Sequence, residues 1–181
     1  MSGPRTGSHN GPARGDDELR GRLGALLPRL RRFAVNLAGS VDDGDELVQA
    51  ACERALARSH QWEPGTRLDS WLYRIIHTIW IDQLRARKVR AHLPLDAAEA
   101  QARGAADHRA EARLTLDAVR RALGELPEEQ RVVMLLVCAD GFTYKEAAAA
   151  LDIPIGTVMS RLARARLSLM ARLGASLVPT P

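Results

Sequence analysis

The sequence is poor in several things at once. Of its 181 residues, Cys52 and Cys138 are the two cysteines, and Lys88 and Lys145 are the two lysines, against 24 arginines. Neither cysteine has a second Cys or a His at metal-ligand spacing, which argues against a disulfide framework and a zinc site. Aromatics make up 4% of the chain, too few for an aromatic-rich β-barrel. The longest unbroken apolar run, Val132 to Ala139, falls far short of the roughly 18 to 20 residues of a membrane span, so no membrane insertion is expected. The opening residues carry no apolar stretch of the secretory kind, and the expected location is cytoplasmic. Catalytic groupings are missing as well. There are no paired carboxylates, no Gly-rich phosphate loop and no nucleophile beside a placed base, and His9, His60, His77, His92 and His108 are scattered. An enzyme is therefore not expected, and no cofactor is.

What is present is helical spacing. Residues 1–15, with Gly3, Gly7, Gly11, Gly15, Pro4 and Pro12, have nothing to offset the entropy of ordering and read as a disordered tail. From Asp16 onward apolar residues recur at helical intervals with no sustained alternation, which predicts an all-α fold. The first segment aligns Leu19, Leu23, Leu26, Leu27, Leu30, Phe33 and Leu37, with Pro28 bending or restarting the helix. In the second, Asp43 as N-cap with Glu46 three residues on resembles a capping box, ahead of a stripe of Leu47, Val48, Ala51, Cys52, Ala55 and Leu56. After the turn "WEPGT" a long helix turns Leu68, Trp71, Leu72, Ile75, Ile76 and Ile79 to the core. Arg74, His77, Thr78, Arg85 and Lys88 fall on a different stripe, and residues 74–90 hold five basic side chains against Asp82 alone. Residues 91–113 contain nine alanines and only Leu93 and Leu95 as large apolar residues, the composition of a linker. It separates an N-terminal domain, 16–90, from a C-terminal one, 114–175, ahead of a short tail, 176–181.

The net charge of +4 leans toward an anionic partner, and its distribution says more. "TYKEAAAALD" followed by "IPIGTVMSRLARARLSLMARLG" has the spacing of a helix-turn-helix, with the turn at Asp152 to Pro154. At about 100° per residue, Ile155, Val158, Leu162, Ala165 and Leu169 line one stripe of the second helix. Thr157, Ser160, Arg161, Arg164 and Ser168 line another, and Arg166 lies about 180° from Thr157. No acid follows Asp152. A solvated helix face ordinarily mixes charges for i,i+4 pairing, whereas arginine can fork onto guanine or grip phosphate. The stripe suits the major groove of DNA.

These residues carry a family resemblance. "TYKEAAAALDIPIGTVMSRLARARLSL" resembles region 4 of the extracytoplasmic-function sigma factors of bacterial RNA polymerase. "DELVQAACERAL" and "WEPGTRLDSWLYRIIHTIWIDQLR" resemble region 2 of the same family. The resemblance implies two small helical domains on a flexible linker. It implies that Asp45, Glu46, Leu47 and Gln49 face the clamp helices of the polymerase β′ subunit, and that region 4 meets the β flap. It also implies that Trp62, Arg67, Asp69, Ser70 and Arg74, with the basic stripe behind them, engage the −10 promoter element, and that Thr157, Ser160, Arg161 and Arg164 read the −35 element, with Arg166 better placed for its phosphates or for solvent. A stress or envelope-response regulon and an anti-sigma factor partner are implied too. Thr78, Met159 and Asp152 stand where the family commonly has Asn, Lys and Gly, so no promoter sequence carries over. The competing reading is a helix-turn-helix regulator that binds an operator without polymerase; the region 2 blocks argue against it.

Overall fold

The computed structural model describes residues 12–91 and 110–177, so most of the expected tail and linker lies outside the described residues. Helix α1 spans Pro12–Ala38, α2 Val41–Ala57 and α3 Leu68–Ala91, with a short 3₁₀ turn at Ser59–Gln61. Then come α4 (Ala110–Gly124), α5 (Glu128–Met134) continued by a π-helical segment (Leu135–Ala139), α6 (Tyr144–Leu151) and α7 (Ile155–Leu177). Among the described residues there is no strand, as the periodicity predicts.

Several local expectations are corrected. Helix α1 begins at Pro12, four residues before the expected start, and Pro28 lies inside it without ending it. Pro28 and Gly24 are both exposed, so water can satisfy the Gly24 carbonyl that the proline leaves without its i+4 donor. The N-cap of α2 is Ser40 and not Asp43: the Ser40 hydroxyl accepts from the Asp43 N–H at 3.0 Å. Hydroxyl and carboxylate both cap well, and spacing alone does not rank them. Gly44 sits where α2 crosses α1. A Cβ there would come within 2.6 Å of the Val35 Cα, so only glycine permits the approach.

The buried stripes are those expected in outline. Leu19, Leu23, Leu30, Phe33 and Leu37 of α1 pack with Leu47, Val48, Ala51 and Ala55 of α2 and Leu68, Leu72, Ile75, Ile76 and Ile79 of α3. Leu27 and Leu56, expected inside, are exposed at the edges of their stripes, and Tyr73 and Trp80 are buried as well. Helix α3 is covered on more of its circumference than one domain alone requires, because α6 packs against it from the other half of the chain.

That second half is a helix-turn-helix on a support of α4 and α5. Thr143 and Glu146 form a reciprocal capping box at the start of α6. At its end Asp152 takes left-handed angles, φ 55° and ψ 47°, which an Asp tolerates better than most residues. Ala147, Ala148, Leu151, Val158, Leu162 and Ala165 form the shared core, while Ile155, expected there, is 49% exposed. Ile155 is the first residue of α7, so no turn precedes it to cover its side chain. One continuous buried cluster runs through both halves, and Phe142 is one of the links between them, packed edge-on against Tyr73, which in turn meets Phe33.

Candidate nucleic-acid interface

The expected stripe on α7 is largely open. Ser160 and Arg164 are exposed and Thr157 is half-buried at the helix start. The Ser160 hydroxyl donates to the Thr157 carbonyl at 3.1 Å, and Arg164 Nε donates to the Ser160 carbonyl at 3.3 Å. These bonds follow the helix and leave the rest of the guanidinium for a ligand. Arg161 differs, because its Nη2 lies 2.5 Å from Oε2 of Glu129 on α5. Arg166 turns away from the stripe: hydrogen bonds to Cys138 and then Tyr144 raise its pKa above the ordinary value.

The basic stripe of α3 lies beside this helix-turn-helix. Arg67, just before α3, grips the Asp69 carboxylate through Nε at 3.0 Å and Nη2 at 2.6 Å, and also reaches Glu146 of α6. Burial opposes ionisation of Asp69, but the hydrogen bonds from Arg67 and the Ser70 N–H outweigh it and hold its pKa below the ordinary carboxylate value. Arg74 donates to the carbonyls of Ala149 and Ala150 in α6. Burial, and then the charge of Arg161, push the pKa of His77 down. Thr78 is exposed, its hydroxyl bonded to the Arg74 carbonyl at 2.8 Å. Arg85, exposed and 3.9 Å from Asp82, and Lys88 lie near the start of α5. There burial raises the pKa of Glu128 against the pull of Arg131, Lys88 and Arg85.

Two expected site residues are withdrawn. Trp62, read as an open turn residue, is only 4% exposed, with the Arg22 guanidinium 5.3 Å from its ring. It is a core residue because the turn folds back over α1. Leu47, expected on the polymerase-facing surface, is 0% exposed and belongs to the α1–α2 core, as its helical neighbours Ala51 and Val48 require. The polar members of that group do face out. Asp45 and Glu46 are exposed, and Gln49 donates to Glu53 at 3.0 Å. Arg31 holds Asp45 through two bonds of 2.5 and 2.8 Å, which lowers the pKa of Asp45 below its ordinary value.

Sequence reasoning passed over Asp140. Its side chain is 1% exposed, and it accepts from Arg29 Nε at 3.2 Å and Arg32 Nη2 at 3.1 Å. Partners more than a hundred residues away in the chain leave no local pattern to read.

Comparison with known proteins decides the family. A family model described as "Sigma-70, region 4" matches residues 116–169, and one described as "Sigma2 domain of PhyR" matches residues 23–77. The chain is 37% identical over 158 residues to the ECF RNA polymerase sigma factor EcfG of Rhodopseudomonas palustris, covering 87% of this chain and 86% of that one. The chain belongs to the ECF RNA polymerase sigma factors. This sigma factor is also 33% identical over 146 residues to SigM of Mycobacterium tuberculosis, covering 81% of this chain and 72% of that one. Its fold is similar to the sigma factor RpoE of Bartonella quintana, solved in complex with the anti-sigma factor NepR. There the TM-score is 0.70 at 30% identity, over 87% of this chain and 98% of that one. The two family matches place region 2 on α1, α2 and the first part of α3, and region 4 on α4 to α7. No helix among the described residues is long and apolar enough to cross a membrane.

Proposed function

We propose that this sigma factor is a non-catalytic, cytoplasmic subunit that binds core RNA polymerase through region 2 and reads promoter DNA with both halves. The observation that carries the DNA reading is the open Ser160 and Arg164 stripe on the second helix of a capped helix-turn-helix. Arg164 and Arg161, with Ser160 and Thr157, enter the −35 major groove, and Arg166 contributes at most to the backbone. Arg67, Ser70, Arg74, His77 and Thr78 receive the −10 strand, with Arg85 and Lys88 extending the basic track along α3. Asp69 is the orienting carboxylate of that set, because it fixes the Arg67 fork. Asp45, Glu46 and Gln49 face the β′ clamp helices. An anti-sigma factor is the expected inhibitor, a reading supported by the likeness to RpoE, solved with NepR.

Transcription in vitro with core polymerase and genomic DNA, with start sites mapped by sequencing, tests the whole. The expected result is initiation at a discrete set of promoters sharing two elements. Tight, specific duplex binding without polymerase at physiological salt would instead support an operator-binding regulator, since each half neutralises only a few phosphates.

A further inference from the structure

The basic and polar residues of α3 proposed for the −10 strand share one side of the helix. At about 100° per residue, His77, Thr78, Arg85 and Lys88 all fall within about 60° of Arg74. Arg87 does not. It lies about 140° from Arg74, on the side of Trp80 two turns earlier. Its guanidinium carbon is 5.5 Å from the centroid of the Trp80 ring, and its Nη2 donates to Asp43 Oδ1 at 3.0 Å. Asp43 belongs to the first turn of α2, so this arginine faces α2 and not the track.

The apolar hold on α3 ends before the track does. Ile79 and Trp80 are buried and Leu84 is half-buried against the core, but residues 85–89 are all exposed, Val89 by 71%. A helix end past its last apolar contact opens easily. We infer that Arg87 is a positioning residue: it ties the last two turns of α3 to the start of α2 and so keeps Arg85 and Lys88 in line with Arg74. The inference rests on the proposed place of Arg85 and Lys88 in the −10 track. An exposed ion pair is weak by itself, but here the flat guanidinium also covers the Trp80 ring, which fixes its direction.

The test uses Asp43→Asn, Arg87→Gln and the double variant. Hydrogen exchange over residues 85–91 of each chain reports how well the end of α3 is held. Each chain is then assembled with core polymerase and titrated against a fluorescein-labelled promoter duplex, taken from the mapped start sites and left unpaired over its −10 region. Removing a carboxylate should tighten binding to a polyanion through charge alone; a loss on Asp43→Asn is therefore the mark of positioning. The expected result is faster exchange in all three variants, an unchanged core titration, and about two- to fivefold weaker duplex binding by each single variant, the fold-change of an exposed ion pair. The double variant should lose no more than either single one, because both break the same contact. Asp43 lies in the first turn of α2, whereas Arg87→Gln leaves that turn intact and must give the same exchange. Unchanged exchange, or losses that multiply in the double variant, would overturn the inference, the latter by showing that Arg87 meets DNA itself. A matching loss in the core titration would place Asp43 on the polymerase surface and overturn it too. If Arg85→Ala weakens duplex binding and Asp43→Asn does not, the positioning role fails while the −10 track stands. If exchange quickens yet neither Asp43→Asn nor Arg85→Ala/Lys88→Ala changes affinity, the track fails, and the positioning role with it.

Discussion

Arg161 and Glu129 form an ion pair, Nη2 to Oε2 at 2.5 Å, that ties the recognition helix α7 to α5. An arginine proposed to read DNA thus already has an acidic partner within the chain, whereas Arg164 on the same stripe has no acid in its described contacts. Glu129→Gln should therefore strengthen −35 binding through Arg161 and leave Arg164 unaffected, as measured by electrophoretic shift of region 4 targets with polymerase present. The opposite sign would mean that Glu129 orients Arg161 for the groove.

Arg161→Ala or Arg164→Ala should lower transcription by the equivalent of about 1 to 3 kcal/mol and alter which −35 bases are preferred. Arg166→Ala should cost less and act evenly across −35 variants, because its side chain turns back toward Cys138 and Tyr144. Run-off transcription over a −35 library separates the two behaviours. Equal and unselective losses for all three would remove the base-reading role.

Asp45→Ala should weaken binding to core polymerase with little change in thermal stability, since its pair with Arg31 is exposed and an exposed ion pair contributes at most about 1 kcal/mol. Leu47→Ala should do the reverse, destabilising the fold by about 2 to 5 kcal/mol as a core truncation. Any loss of core binding it causes should then track the unfolded fraction. A titration of core enzyme beside a urea melt of each variant distinguishes them, and normal core binding by Asp45→Ala would count against the clamp-facing surface.

Gly44→Ala is expected to be among the most damaging single changes. The new Cβ meets the Val35 backbone at 2.6 Å, and a backbone atom cannot swing aside as a side-chain tip can. Because the obstacle is backbone, the cost should reach the upper end of the roughly 1 to 3 kcal/mol typical of overpacking, on the order of 6 to 12 °C in Tm for a chain of this size. A calorimetric Tm within two or three degrees of wild type would show that α1 and α2 can part without loss.

His77 should make stability fall on mild acidification. Burial and Arg161 hold its folded pKa below the ordinary 6.5. Below about pH 6.5 the unfolded chain takes up a proton that the folded chain refuses, so stability is full above that pH and is lost as pH falls toward the folded value. Glu128, whose pKa burial raises, acts with the opposite sign, favouring the folded chain at low pH and losing that contribution as pH rises through its folded value. Urea unfolding of wild type and His77→Gln between about pH 5 and 8 isolates the histidine. The variant's stability should depend less on pH there, and parallel profiles would show that His77 is not constrained.

The sequence by itself determined what repeats at short range. The all-α character, the core stripe of α3, the helix-turn-helix with its left-handed Asp152, and the separation of Ser160 and Arg164 from the Val158, Leu162 and Ala165 stripe all follow from spacings of a few residues. Helical geometry turns such spacings directly into faces. Tertiary structure alone decided which faces are covered and by what. Trp62 and Leu47 are buried because α1 passes over both, Ser40 and not Asp43 caps α2, and Asp140, Phe142 and Glu146 meet Arg29, Tyr73 and Arg67 across the two halves. The physical reason is that periodicity states only that a residue has a side facing inward or outward. Whether an outward arginine meets water, DNA or the end of another helix depends on contacts between segments far apart in the chain, and no local pattern encodes them.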